Sequence, residues 1–201
     1  MKQNPKVFLA VIDLLFSFAV TNAQISIGPK AGINISNLSG LSTNEIKAKS
    51  LVGFHVGGYV AFRFGNIAIQ PELLYSTQGA KIDSLGGSEN LKLNYFNIPV
   101  MLKYITNSGF YLETGPQLGF RTSAKFGSED IKETVKSSDF SWDFGLGYQK
   151  NALGLGARYC VGISKLGDAS SVDPGDVDFK NGVLQFSISF ALFGGHQDAQ
   201  K

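Results

Sequence analysis

Residues 110–125 read FYLETGPQLGFRTSAK, in which apolar and polar side chains alternate almost residue by residue. A period of two places successive side chains on opposite faces of a β-strand. The apolar face carries Phe110, Leu112, Pro116, Leu118 and Phe120, and the polar face carries Tyr111, Glu113, Gln117, Arg121 and Lys125. The segment is therefore predicted to be a strand whose two faces have different surroundings.

Seven further segments repeat this alternation: residues 25–36, 53–64, 67–78, 96–104, 140–149, 153–164 and 184–192. In each, large apolar and aromatic side chains dominate one face. Charged side chains within the predicted strands fall on the other face: Arg63, Glu72, Lys103, Glu113, Arg121, Asp143 and Arg158. The division predicts one continuous sheet that is apolar on one side and polar on the other.

The connections between these segments alternate in length. Three are tight and four are long: Gly65-Asn66, 105–109 and Lys150-Asn151, against 37–51, 81–90, 127–138 and 165–181. This alternation is typical of closed barrels in outer membranes, with short turns on the periplasmic side and long loops outside. The sequence predicts an all-β fold, an eight-stranded antiparallel up-and-down transmembrane β-barrel with short periplasmic turns and four long extracellular loops. The barrel is predicted over residues 24–193, with a C-terminal tail at 194–201.

The orientation of the two faces follows from the rest of the sequence. A soluble barrel of the lipocalin type would have apolar residues inside and polar residues outside. Here the polar face is rich in glycine and other small residues, and aromatic residues lie near the predicted strand ends. Together with the N-terminal segment, these features predict an apolar outer surface in lipid.

The N-terminal segment resembles a secretory signal. Lys2 and Lys6 precede an apolar stretch at 7–20, which is followed by small residues ending at Ala23. The alternative is a retained membrane anchor, but the stretch is interrupted by Asp13 and is shorter than the roughly 20 residues that span a bilayer as a helix. We therefore predict that residues 1–23 are a cleaved signal peptide and that the protein resides in the Gram-negative outer membrane.

Composition excludes several classes of function. The chain has 18 Lys and Arg against 16 Asp and Glu, with a net charge of +2 and no basic run, so nucleic-acid binding is not expected. The single cysteine, Cys160, can form neither an intrachain disulfide nor a multi-cysteine metal site. The histidines are His55, predicted inside the barrel, and His196 in the tail. The sequence therefore predicts no catalytic residue, no cofactor and no metal site.

The inward charged residues are predicted to form a structural network. Eight strands enclose an interior just wide enough for side chains to fill it. Charges buried in such a lumen must pair with one another. The predicted lumen polar network consists of Arg63, Glu72, Lys103, Glu113, Arg121, Asp143 and Arg158. Inward glycines are predicted to make room opposite bulky lumen side chains, at Gly145, Gly147, Gly154 and Gly156.

Turn lengths predict which of these residues face each other. A two-residue turn at Lys150-Asn151 would place Asp143 directly opposite Arg158. The two side chains would then form a cross-strand ion pair on the polar face.

Two other hairpins also place polar side chains in a predicted register. A five-residue turn at 105–109 would place Lys103 opposite Tyr111 and diagonal to Glu113. Glu72 would lie opposite Tyr59, so its charge partner must come from the first strand or from an arginine across the lumen.

Several motifs resemble the PorT-like outer-membrane β-barrel family, often called simply the porin family. The matching stretches are KAGIN at 30–34, NLSG at 37–40, QPELLYS at 70–76 with Gly79, YFNIPVMLKY at 95–104 and FYLETGPQLG at 110–119. The resemblance implies a small closed barrel in the outer membrane. It implies no catalytic residue.

These features predict an integral outer-membrane barrel with a filled polar lumen and no enzymatic activity, which acts structurally or through its surface loops. The alternatives are a component of a protein-secretion complex, which the resemblance implies for some family members, and a narrow channel for small solutes. A hydrolase is a weaker alternative. The expected partners are outer-membrane lipid and envelope or secretion-complex proteins, and the barrel is expected to be a monomer.

Overall fold

The computed structural model describes residues 24–39, 47–84, 87–127, 129–131, 137–164 and 180–194. These residues form nine strands: β1 Gln24–Ser39, β2 Lys47–Phe64, β3 Ile67–Ser84, β4 Gly87–Ile105, β5 Phe110–Phe126, β6 Glu129–Asp130, β7 Ser138–Lys150, β8 Leu153–Gly162 and β9 Lys180–Phe190. Eight of the strands are long, and β6 has two residues. No helix that is long and apolar enough to cross a membrane occurs among the described residues.

The eight long strands close into an antiparallel barrel. Each pairs with its neighbour in the chain, β1 pairs with β9, and the β4–β5 pairing joins the two ends of the sheet. The short β6 pairs only with the end of β5. Closure leaves no unpaired sheet edge along the barrel wall. The predicted eight-stranded up-and-down barrel is confirmed.

The two faces of the wall differ as the alternation predicts. Outward Leu112 and Leu146 are 63% and 59% exposed, whereas inward Glu113, Asp143 and Arg158 are 6%, 0% and 2% exposed. An apolar surface that encircles the whole barrel is unstable in water but matches the interior of a bilayer. The apolar face is therefore the outer face.

Aromatic side chains on the outer wall group near its two ends. Tyr75 lies between Phe54 and Phe96, with ring centroids 6.2 and 5.6 Å away. At the end formed by the short turns, Phe110 packs against Tyr148 at 5.0 Å. Two such bands mark the interfaces of a membrane-spanning barrel.

The described residues test the predicted connections in part. Phe64 pairs with Ile67, so the Gly65-Asn66 turn is confirmed, with Gly65 at φ 60°. The predicted long connection at 81–90 is wrong, because β3 continues to Ser84 and pairs there with Gly87. Residues 40–46, 128, 132–136 and 165–179, which belong to the other three predicted long loops, lie outside the described residues. We call the end of the barrel that carries the turns after β2, β4 and β7 the short-turn end, and the opposite end the long-loop end.

A β-bulge reverses which side chains of β5 point inward at the long-loop end. The register with β4 shifts after Asn94, where β5 contains one extra residue. Beyond this bulge Ala124 is completely buried and Lys125 is exposed. The prediction that Lys125 faces inward with Arg121 is wrong, because an extra residue reverses the alternation of a strand.

The strands β3, β4 and β5 have an apolar inner face at the long-loop end. Its buried members are Ala80, Leu91, Leu93, Tyr95 and Ala124, and Ile82, Phe126 and Ile131 pack against them. This cluster lies beyond the polar interior of the barrel. It gives the extended part of the sheet a core of its own.

Candidate functional site in the barrel interior

Six charged side chains meet inside the barrel, and we call them the charge cluster: Lys30, Glu72, Lys103, Glu113, Asp143 and Arg158. They come from six different strands, and each occupies an inward position of its strand. All six are buried. Three are cations and three are carboxylates, so the cluster can balance its charge internally.

Arg158 lies at the centre of the cluster. Its Nη2 donates to Glu72 Oε1 at 2.8 Å, and its Nη1 donates to Glu72 Oε2 at 3.1 Å. Its Nε donates to Glu113 Oε1 at 2.8 Å. The planar guanidinium thus binds one carboxylate with two nitrogens and a second carboxylate with the third. A single side chain of β8 therefore joins β3 to β5 across the lumen.

Two lysines extend the cluster on either side of Arg158. Lys30 Nζ lies 3.0 Å from both oxygens of Glu72. Lys103 Nζ lies 3.0 Å from Glu113 Oε2 and 4.3 Å from the centroid of the Tyr111 ring. The result is a continuous chain of ion pairs from β1 through β3, β8 and β5 to β4.

The predicted pairing of Asp143 with Arg158 has the wrong register. Lys150 pairs with Leu153, so the turn contains the next two residues and the register is shifted by two. Asp143 therefore faces Cys160, and its Oδ2 lies 3.8 Å from Arg158 Nη1. The two residues share a face and a long contact, but the main partners of Arg158 are glutamates from other strands.

The register of the β4–β5 hairpin also differs from the prediction by two residues. Lys103 lies directly opposite Glu113, and Tyr111 faces Ile105 instead. The predicted position of Glu72 opposite Tyr59 is confirmed. The partners of Glu72 come from both of the predicted sources, the first strand and an arginine across the lumen.

Glycines on the inward face leave space for this cluster. A Cβ at Gly145 would lie 2.8 Å from Glu113 Oε1, and a Cβ at Gly156 would lie 2.5 Å from the Tyr111 hydroxyl. A side chain at either position would overlap a lumen group. The inward positions of β7 and β8 are glycines here because Tyr111 and Glu113 of β5 occupy the space in front of them.

Three residues distinguish the cluster from the predicted network. Arg63 lies at the short-turn end, where its Nε donates to Gly65 O at 2.7 Å. Arg121 lies toward the long-loop end, opposite Tyr95. Lys30 is not part of the predicted network, although the alternation predicts its inward position on the first strand, where it is 5% exposed.

His55 belongs to a second group of polar side chains nearer the long-loop end. Its Nδ1 lies 2.7 Å from Asn34 Oδ1, and its Nε2 lies 3.0 Å from Ser187 Oγ. This order of serine, histidine and amide resembles a hydrolytic triad. However, His55 is 1% exposed and its ring packs against the backbone at Gly32, so a substrate has no visible approach. Hydrogen bonding of a buried ring accounts for the arrangement.

Several buried amide atoms in the lumen have no hydrogen-bond partner in the protein. They include Asn97 Nδ2, Gln117 Oε1 and both polar atoms of Gln185. Asn97 and Gln117 lie on the long-loop side of the charged residues of their own strands, and Gln185 faces Arg158. Within the charge cluster, Glu113 Oε2 and Asp143 Oδ2 also have no hydrogen-bond partner, although both lie near cations of the cluster. Among the described residues, no group of His, Cys, Asp and Glu side chains is arranged to hold a metal ion.

Solved structures of small barrels resemble this one. Neisserial surface protein A superposes with a TM-score of 0.56 at 16% identity, covering 82% of this chain and 96% of that protein. The attachment invasion locus protein Ail of Yersinia pestis gives a TM-score of 0.47 at 18% identity, with 83% and 98% covered. OprG, an outer-membrane protein of Pseudomonas aeruginosa, gives 0.42 at 14% identity, with 83% and 94% covered.

The sequence itself places the chain in a family. No curated protein matches it in sequence. The model of the outer membrane protein beta-barrel domain matches residues 17–168, which is most of the chain. The match agrees with the closed barrel, its apolar outer wall and its charged interior. This protein is therefore an outer-membrane β-barrel protein and belongs to the outer membrane protein beta-barrel domain family.

Proposed function

We propose that this protein is a non-enzymatic barrel with a filled polar lumen, which acts structurally or through its long loops at the cell surface. One observation carries the proposal. The ion pairs from Lys30 through Glu72, Arg158 and Glu113 to Lys103 cross the interior from one wall to the other. A lumen bridged in this way has no continuous path for solutes at that level.

The energetics of burial support a closed lumen. Taking a charge out of water costs several kcal/mol unless it is paired and hydrogen-bonded, so the members of the cluster hold one another in place. Gln70 adds a further hydrogen bond of 2.8 Å to Glu72 Oε1. Opening a passage would separate several of these contacts at once. The charge cluster therefore blocks the lumen, and opening it would require several buried ion pairs to break together.

A narrow channel for small solutes is the second candidate. The buried amides of Asn97, Gln117 and Gln185 favour it, since polar groups without protein partners are normally hydrated. Water in the long-loop half would leave the charge cluster as the main barrier to conduction. The two proposals thus differ in whether that barrier ever opens.

We expect purified wild-type protein in planar bilayers to show no sustained conductance of the porin type. The measurement is single-channel current at fixed voltage, with Glu113→Gln as the test variant and Lys150→Gln as the control. Lys150 is exposed next to a short turn, outside the cluster. Steady wild-type currents that change in Glu113→Gln but not in Lys150→Gln would mean that the lumen is open.

We also propose that the protein belongs to the PorT-like group and takes part in a secretion complex. Both proposals rest on the sequence resemblance alone. Co-purification of secretion-complex proteins with the detergent-solubilised barrel would favour that role. We further propose that the barrel is a monomer and that its loops contact other envelope proteins.

The mature protein is expected to begin at Gln24. Residues 1–23 lie outside the described residues, and the proposal rests on their resemblance to a secretory signal. Intact mass of protein purified from the outer-membrane fraction would measure the cleavage. Mature protein that retains residues 1–23 would contradict the proposal.

A further inference from the structure

Four exposed lysines lie side by side at the long-loop end, and we call them the lysine row: Lys49, Lys81, Lys92 and Lys125. They come from β2, β3, β4 and β5, which are neighbours in the barrel wall. In the sequence they are separated by 11 to 33 positions, so no basic run is visible.

The strand register places all four on one face. Lys49 pairs directly with Lys81, and Lys92 pairs directly with Lys125. Lys81 faces Asn90, which is two residues from Lys92 and therefore on the same face. Neighbours of Lys81, Lys92 and Lys125 in their strands are buried: Ala80, Leu91, Leu93 and Ala124. The lysine row is thus on the outer side of the wall.

This arrangement concentrates positive charge. Like charges directly opposite each other in a sheet are destabilising, and the row contains two such pairs. Asp130 faces Lys125 across the β5–β6 pairing. Asp83 is two residues from Lys81 on the same face, where it pairs with Lys47. These two acids offset part of the charge. The row therefore keeps an excess of cations that an anionic ligand would stabilise.

The position of the row relative to the membrane points to the ligand. Lys92 is four residues from Phe96, Lys49 is five from Phe54, and Lys81 is six from Tyr75, all in the direction away from the aromatic band. At about 3.3 Å per residue and a tilt near 40°, these separations are roughly 10–15 Å along the membrane normal. That height lies outside the hydrocarbon layer and past the roughly 5–8 Å of a phospholipid head-group region, so only a lipid with a larger polar head reaches it.

The direction in which the lysine side chains point favours a lipid over a soluble polyanion as the ligand. Its side chains leave the wall on the same side as the lipid-facing residues, and so they point sideways, toward the polar heads of the surrounding lipids. A soluble polyanion would more easily reach the loop tips than this sidewall. We propose that the lysine row binds the phosphate groups of a phosphorylated outer-leaflet glycolipid, lipopolysaccharide, and holds it against β2–β5.

The test measures binding of lipopolysaccharide to the full-length barrel refolded in detergent. The test variant is Lys81→Gln with Lys92→Gln and Lys125→Gln, and the control is Lys150→Gln at the short-turn end. With an attraction of the size known for lysines at anionic membrane surfaces, the triple variant should bind about 100-fold more weakly. The control should bind as the wild type does. High salt should weaken wild-type binding, because exposed charges are screened.

Three outcomes would overturn the proposal. Equal affinity of the wild type and the triple variant would show that the row is not the site. Equal affinity for dephosphorylated lipopolysaccharide would show that phosphate is not recognised. Tighter binding of soluble polyphosphate than of lipopolysaccharide would assign the row to a soluble polyanion. Arginine at the same three positions should retain binding, which separates loss of charge from loss of fold.

Discussion

Replacing Arg158 with alanine is expected to lower the free energy of unfolding by about 3–5 kcal/mol. The change removes three short hydrogen bonds to Glu72 and Glu113. It also leaves the cluster with an excess of buried negative charge. Urea-induced unfolding of the barrel refolded in lipid or detergent would measure the difference.

Two matched variants make this prediction specific. Arg158→Lys keeps the charge but cannot bind both glutamates with a planar fork, so an intermediate loss is expected. Arg63→Ala removes an arginine that is only half-buried at the short-turn end, and should cost about 1 kcal/mol or less. If Arg158→Ala is no more destabilising than Arg63→Ala, the cluster does not stabilise the barrel as proposed.

Replacing Gly156 with leucine is expected to cost about 1–3 kcal/mol through overpacking of the lumen. A Cβ at this position would lie 2.5 Å from the Tyr111 hydroxyl. The Tyr111 ring is held by packing against Lys103 and by a hydrogen bond from its hydroxyl to Leu155 O at 3.3 Å. It therefore has little freedom to move aside. The midpoint of thermal unfolding would report the loss.

The second variant in this test is Tyr111→Ala, alone and combined with Gly156→Leu. Removing the ring opens the space that a leucine would fill, so the double variant should be more stable than the sum of the two single losses predicts. Strict additivity would mean that Gly156 and Tyr111 do not share this space, and the explanation of the lumen glycines would then be wrong.

Much of the architecture was predictable from the alternation of side chains. The period of two defines the faces of each strand locally, without any knowledge of its neighbours. The alternation therefore predicts the inward positions of Glu72, Glu113, Asp143 and Arg158, which the structure confirms, as it does the Gly65-Asn66 turn. The apolar outer wall follows from the same pattern.

Strand register was less predictable, because it depends on small local choices. The turns after β4 and β7 have the predicted lengths but begin one residue later than predicted, and moving a turn by one residue displaces the pairing by two. That displacement preserves the faces but changes the partners, as the true neighbours of Asp143 and Lys103 illustrate. The bulge in β5 carries no clear sequence signal, and it alone moved Lys125 to the outside.

The sequence by itself determined the number of long strands, the two faces of the wall and the membrane that this wall suits. Only the tertiary structure decided that Arg158 reaches Glu72, 86 residues away, and that Lys49, Lys81, Lys92 and Lys125 share one outer surface. The reason is physical. Alternation is a property of one strand, whereas contacts across the lumen and along the wall depend on closure, register and bulges, which involve all the strands together.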